Sequence, residues 1–135
     1  MNEKCWVLVG KQTKRRRAWV AKKRRRTVGS PTSVEADWRW VLARDESHGD
    51  VVGFFHTHPD GAGTRPSARD IRTMGAWSSA LGKPLLCLIA DGETVSGYVF
   101  ANDESANDER ADDESNWKAV KSIDEKTPRR YAIFE

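Results

Sequence analysis

The hydrophobic patterning of the chain predicts an α/β or α+β fold, read as α/β: a mixed β-sheet flanked by helices in a single domain spanning residues 1–135. Three observations lead there. Two apolar runs of strand length, Val51–Phe55 and Leu85–Ala90, enclose a stretch with helical spacing. A length of 135 residues suits one domain with a core that needs no disulfides. Hydrophobic residues make up 38% and charged residues 32%, enough apolar material for that core beneath a heavily solvated surface.

The first element is a strand over residues 3–10, built on the apolar run Cys5-Trp6-Val7-Leu8-Val9 and closed by Gly10. Lys11 to Arg17 turns, and Ala18-Trp19-Val20-Ala21 forms the middle of a second strand, so a hairpin is expected. Between Lys11 and Arg26 stand ten Lys or Arg and no acid. Such a run fits a nucleic-acid patch, a solvated face or a dock for acidic proteins. No stacking platform or recognised DNA-binding motif accompanies it, which makes nucleic acid the unfavoured partner.

Thr27 to Thr32 reads as a loop. Val34, Trp38, Val41 and Leu42 then suit one face of an amphipathic helix over 34–43. Trp38 and Trp40 cannot both face the core from that helix, so one of them is at its rim or open to a partner. Residues 46–50 are the turn into the next strand, and His48 is a loop histidine. From Ser67 a second helix runs to about Leu81, with Ile71, Met74, Trp77 and Leu81 inward and Gly82 closing it. Leu85–Ala90 is apolar without alternation, which places it centrally with both faces buried. Asp91-Gly92 turns the chain into a partner strand, Val95–Phe100. Residues 102–116 form an imperfect five-residue repeat with seven acids and one Arg, a solvated loop that offsets the basic hairpin and leaves a net charge of +3. Trp117–Ile123 and Arg129–Phe134 return to the body, the last as a short edge strand.

No apolar segment of 18 residues and no signal-peptide pattern is present, so no membrane span is expected. Cys5 and Cys87 do not make a disulfide framework, which points to a reducing, cytoplasmic location. Cys5 shares a strand face with Glu3 and is read as a small buried thiol.

The chemistry concentrates in His56-Thr57-His58-Pro59 and Ser67-Ala68-Arg69-Asp70. Side chains at i and i+2 point the same way only on an extended chain, so His56 and His58 belong to a strand end. Pro59 to Gly63 breaks the strand into a loop, and Ser67 followed by Asp70 reads as a helix cap with its acid on the first turn. Two histidines and a carboxylate are the ligand types of an open zinc site, in which three protein groups leave the fourth position to water. Ser67 is both a cap and a candidate functional group.

These residues resemble the JAMM metalloproteases of the MPN (JAB/cytidine-deaminase-like) fold, whose signature is an upstream Glu, then HxHP, then SxxD. His56, His58, Pro59, Ser67 and Asp70 carry the match; eight residues separate His58 from Ser67 where the family pattern has seven. The resemblance implies an upstream glutamate. Glu3, before an apolar run ending in glycine, is the first candidate, and Glu35 is the second. It further implies zinc held by His56, His58 and Asp70, with Glu3 as general base and then acid, and Ser67 steadying the oxyanion. The implied reaction is hydrolysis of the amide bond after the C-terminal tail of a ubiquitin-like protein, by deconjugation or precursor processing, in a bacterial pathway. Two alternatives stand beside it: a non-catalytic MPN scaffold, and a nucleic-acid-binding module using Lys11–Arg26.

Overall fold

The computed structural model describes residues 2–13, 17–29, 35–92, 94–101 and 117–135. Val34 and the acidic repeat of residues 102–116 therefore lie outside the described residues. In chain order the elements are β1 (Lys4–Thr13), β2 (Ala18–Val28), α1 (Trp38–His48), β3 (Val51–Thr57), α2 (Ala68–Leu81), β4 (Leu85–Asp91), β5 (Thr94–Phe100), β6 (Trp117–Ala119), β7 (Ser122–Thr127) and β8 (Arg130–Phe134). They form one sheet in the order β6-β5-β4-β3-β1-β2-β8-β7. β3 and β4 run parallel with α2 as their crossover, and the other described pairings are antiparallel.

The expected α/β sheet flanked by helices is not what the chain builds. Of the described residues 51% are in strands and 23% in helices, and the eight strands curl into a half-barrel. Connectivity forces the curl. β6 and β7 occupy opposite rims, which a flat eight-stranded sheet would hold roughly 34 Å apart. Ala119 and Ser122 are only three peptide steps apart, about 11 Å at full stretch. The rims must therefore come together, and the link between them is tied to both: Val120 N–H donates to the Gly97 carbonyl of β5 at 2.9 Å and Lys121 N–H to the Phe134 carbonyl of β8 at 2.7 Å. Gly97 has no room for a side chain there, because a Cβ would lie 2.8 Å from Leu88, 2.9 Å from Val120 and 3.0 Å from Ile123.

Curling gives the sheet two unlike faces. Cys5, Val7 and Val9 of β1 pack with Phe54, Cys87 and Ile89 beneath the helices, where Val41 of α1 and Ile71 and Met74 of α2 join them. The intervening positions, among them Leu8, Phe55, Leu86 and Leu88, turn into the barrel against Trp19, Tyr131 and Ile133. Both helices thus cover one face, and the sheet covers the other by itself.

Local outcomes follow the same logic. The hairpin forms, but β2 continues through Lys22–Arg26 to Val28, because pairing with β1 carries it past the residues that read as a loop. Two residues of β2 oppose one of β1 between Cys5 and Val7, and Arg25 at that bulge has a left-handed φ of 36°. α1 starts at Trp38, not Val34, because Asp37 caps it by accepting from the Trp40 N–H, and it runs on through the expected turn to His48. Trp38 is the exposed tryptophan of that helix, 54% open, whereas Trp40 packs on the core. β8 is interior, between β2 and β7, so the expected edge strand is corrected: β7 holds that rim.

Candidate metal centre

His56 is the penultimate residue of β3, and His58 follows just past its end. β3 reaches this point between β1 and parallel β4, with Gly53 paired to Leu86 so closely that a Cβ would lie 2.0 Å from the Leu86 carbonyl oxygen. The i, i+2 spacing sends both imidazoles to the helix-covered face, where their Nε2 atoms stand 3.2 Å apart. Asp70 comes to them from the first turn of α2. Its Oδ1 is 3.2 Å from His56 Nε2 and its Oδ2 is 3.0 Å from His58 Nε2.

A capping box aims that carboxylate. Asp70 N–H donates to Ser67 Oγ at 3.1 Å, and Ser67 N–H donates back to Asp70 Oδ2 at 2.9 Å. His58 is fixed from its other side, since the Gly63 carbonyl can only accept and lies 2.9 Å from Nδ1. Nδ1 is therefore the donor, which leaves Nε2 to face His56 and Asp70. Burial alone would raise the Asp70 carboxyl, but the two imidazoles that face it and the Ser67 N–H overcome this and hold the group well below the usual carboxylate range. The Asp70 carboxylate in turn raises the His58 pKa, against the opposing effect of burial.

His56, His58 and Asp70 could hold a metal ion: one ligand atom from each lies within 4.8 Å of the others. The donor set fits. Two imidazole nitrogens and a carboxylate oxygen are ligands of a tetrahedral site with one open position, in which neighbouring ligands at 2.0–2.1 Å from the ion stand about 3.3 Å apart. The two imidazole nitrogens, 3.2 Å apart, are close to that spacing, and Asp70 offers an oxygen to each, Oδ1 at 3.2 Å from His56 and Oδ2 at 3.0 Å from His58.

The three residues line a cleft of about 630 Å³ that also contains Glu3, Cys5, Glu35, Trp38, Ser67 and Trp77. Glu3 is 8% exposed, just ahead of β1, and burial pushes its carboxyl pKa up while the nearby His56 and His58 partly offset the rise. Glu35 is on the same cleft but exposed, and its carbonyl accepts from Thr27 Oγ1 at 2.6 Å. Cys5 pairs in register with His56, yet it is 5% exposed and burial pushes its thiol up to about 12, so it is a neutral part of the wall. His48 ends α1, hydrogen bonded through Nδ1 to Ser47 Oγ at 2.7 Å, and is not among the converging groups.

The family model for prokaryotic homologs of the JAB domain matches residues 1–109. The chain belongs to the prokaryotic JAB homologues. Comparison with curated proteins finds no match. In this JAB homologue the matched part holds the whole cluster, whereas β6, β7 and β8, which close the barrel, lie beyond it.

Some residues of the JAB homologue's site escape sequence reading. Trp38 and Trp77 line the cleft, and Trp77 reaches it by packing against Phe54 with ring centroids 5.4 Å apart. Arg65 and Arg69 put positive charge on its lining. Asp91, expected only to begin a turn, sends its carboxylate to the 59–66 loop. Of the basic run, Lys23, Arg24, Arg25 and Arg26 line a second cleft apart from the cluster, together with Trp6 and Arg129. Lys23 Nζ fills an aromatic box there, 3.8 Å from the Phe55 ring and 4.3 Å from that of Trp6. No helix among the described residues is long and apolar enough to cross a membrane.

Proposed function

We propose that this JAB homologue is a cytoplasmic zinc-dependent hydrolase that cuts the amide bond after the C-terminal tail of a ubiquitin-like protein, in deconjugation or precursor processing. One observation carries the reading: two strand-borne imidazoles and a helix-borne carboxylate converge at 3.0–3.2 Å on a cleft that also buries a glutamate. The family and the neutral, free thiols Cys5 and Cys87 agree with it.

His56, His58 and Asp70 would hold the zinc. When bound, zinc would lower the pKa of water from 15.7 to about 7. The protein supplies the rest. Glu3, drawn toward neutrality by burial, takes a proton from the attacking water and passes it to the departing amine nitrogen. Ser67 Oγ accepts from the Asp70 N–H, which leaves its own hydrogen free to donate to the substrate carbonyl oxygen as negative charge builds there. Trp38 and Trp77 offer apolar walls to an extended tail, whose narrow cross-section suits a cleft of this size.

The test is a Glu3→Gln variant assayed beside the wild type on a ubiquitin-like fusion. Expected are about one zinc per chain in both proteins and product release only by the wild type. Cleavage by the variant would remove Glu3 as the base; a wild type that purifies and reconstitutes without zinc would remove the metal.

A further inference from the structure

The strongest observation outside the signature residues is the carboxylate of Asp91, at the end of β4. Asp91 Oδ1 accepts from the Gly61 N–H at 3.1 Å, and Oδ2 accepts from the Gly63 N–H at 2.6 Å. Both glycines have left-handed backbones, φ 85° and φ 82°, a conformation that glycine adopts without steric cost. At Gly63 this conformation turns the next carbonyl onto His58 Nδ1, 2.9 Å away. His58 is tied to the same strand end by its own N–H, which donates to the Ala90 carbonyl at 2.8 Å.

We propose that Asp91 is a positioning residue for the metal centre: it gathers the 59–66 loop so that the Gly63 carbonyl selects the His58 tautomer whose Nε2 faces His56 and Asp70. Two hydrogen bonds in series, Gly63 N–H to Asp91 Oδ2 and His58 Nδ1–H to the Gly63 carbonyl, thus connect β4 through the loop to the ring. Two other contacts hold the loop without doing this. Tyr98 OH donates to the Thr64 carbonyl at 2.9 Å, and Thr64 Oγ1 meets Ser96 Oγ at 2.6 Å. Both act on Thr64, one residue past the carbonyl that matters, so they keep the loop near the barrel without setting the direction of the Gly63 carbonyl. The proposal rests on the metal-site reading above, but half of its test does not.

The experiment compares wild type, Asp91→Ala, Asp91→Asn and Tyr98→Phe, each verified as folded by circular dichroism. In the metal-free proteins, long-range proton–nitrogen NMR reports which imidazole nitrogen of His58 carries the proton, and the Gly63 amide shift reports its carboxylate bond. Zinc affinity is then measured by competition with a chromophoric chelator. Expected for Asp91→Ala are loss of the single-tautomer signature and roughly tenfold weaker zinc binding, the lower end of what removing a ligand's supporting contacts costs. Asp91→Asn keeps one acceptor oxygen and should fall between, and Tyr98→Phe should keep both signatures. Should Asp91→Ala fail to fold, Asp91→Asn carries the comparison. Unchanged His58 spectra and affinity in the Asp91 variants, or an equal loss in Tyr98→Phe, would overturn the proposal. Wild type that binds no zinc would instead defeat the metal reading, and the spectra would still decide whether Asp91 orders His58.

Discussion

Replacing Ser67 with alanine separates a structural role from a chemical one. The stability cost follows from one lost contact, the Asp70 N–H to Ser67 Oγ bond of 3.1 Å at the N-terminus of α2. Removing such a cap costs about 1 kcal/mol. The other half of the capping box survives, since Asp70 Oδ2 accepts from the backbone N–H of residue 67, so the carboxylate keeps its aim. In a chain of 135 residues that cost lowers the melting temperature by about 3–5 °C. The chemical cost is larger if the hydroxyl donates to a developing oxyanion, about 2.7–4 kcal/mol or a factor of 10²–10³ in kcat. Calorimetry, zinc stoichiometry and initial rates on a ubiquitin-like fusion measure the three effects separately. Ser67→Thr, which retains a hydroxyl, should recover the stability and part of the rate. If the zinc-loaded, folded alanine variant turned over at the wild-type rate, Ser67 would be a cap and nothing more.

Other outcomes follow from features remote from the reaction. Gly53→Ala places a Cβ 2.0 Å from the Leu86 carbonyl oxygen, so β3 must part from β4; urea titration should show a loss of about 3 kcal/mol or more, and a change under 0.5 kcal/mol would contradict the packing. Cys5 and Cys87 are 5% and 0% exposed, with burial raising both thiols, so Ellman's reagent at pH 8 should find no thiol in the folded protein and two after denaturation. Arg44 grips Asp50 through Nε at 2.9 Å and Nη2 at 2.7 Å, which holds the Asp50 carboxyl below its ordinary value. Because the folded pKa is the lower one, the ion pair stabilises above the unfolded value near 4 and fades as pH falls through the folded one. Asp50→Asn should therefore flatten the acid limb of the stability curve below about pH 4 while lowering stability at pH 7; an unchanged limb would exclude the pair as its source.

Legibility in the sequence tracked the range of the forces involved. β3, α2 and β4 could be read because burial on one or both faces writes a local period, and Ser67 and Asp70 because a capping box spans only three residues. The i, i+2 spacing of His56 and His58 is equally local, whereas Asp70 meets them across the 59–66 loop, a contact made by the tertiary fold. The curled sheet is not legible in the same way, because its last strands are short and because what covers the second face is the sheet itself, brought round by the link from β6 to β7. Thr27 and Val28 read as the start of a loop because their strand character comes from the register with β1, where they pair with Cys5 and Lys4, and not from their own neighbours. Asp91 resembled any turn aspartate, since the amides it holds are 28 and 30 residues away in the chain.

The link Val120-Lys121 between the barrel's rims also governs how the molecule meets others of its kind. β8 takes up the ladder groups of β2 as far as Lys22, and β6 those of β5 from Tyr98 to Phe100, so the apolar parts of the two longer strands offer little template for intermolecular pairing. What stays open is β6, three residues long, and β7, whose Asp124, Glu125 and Lys126 make a charged fringe unsuited to joining a neighbour. A chain cut where the JAB match stops, at residue 109, would keep every group of the metal cluster yet bare both β2 and β5 along with the Trp19 side of the barrel. Such a fragment should precipitate before its chemistry could be assayed.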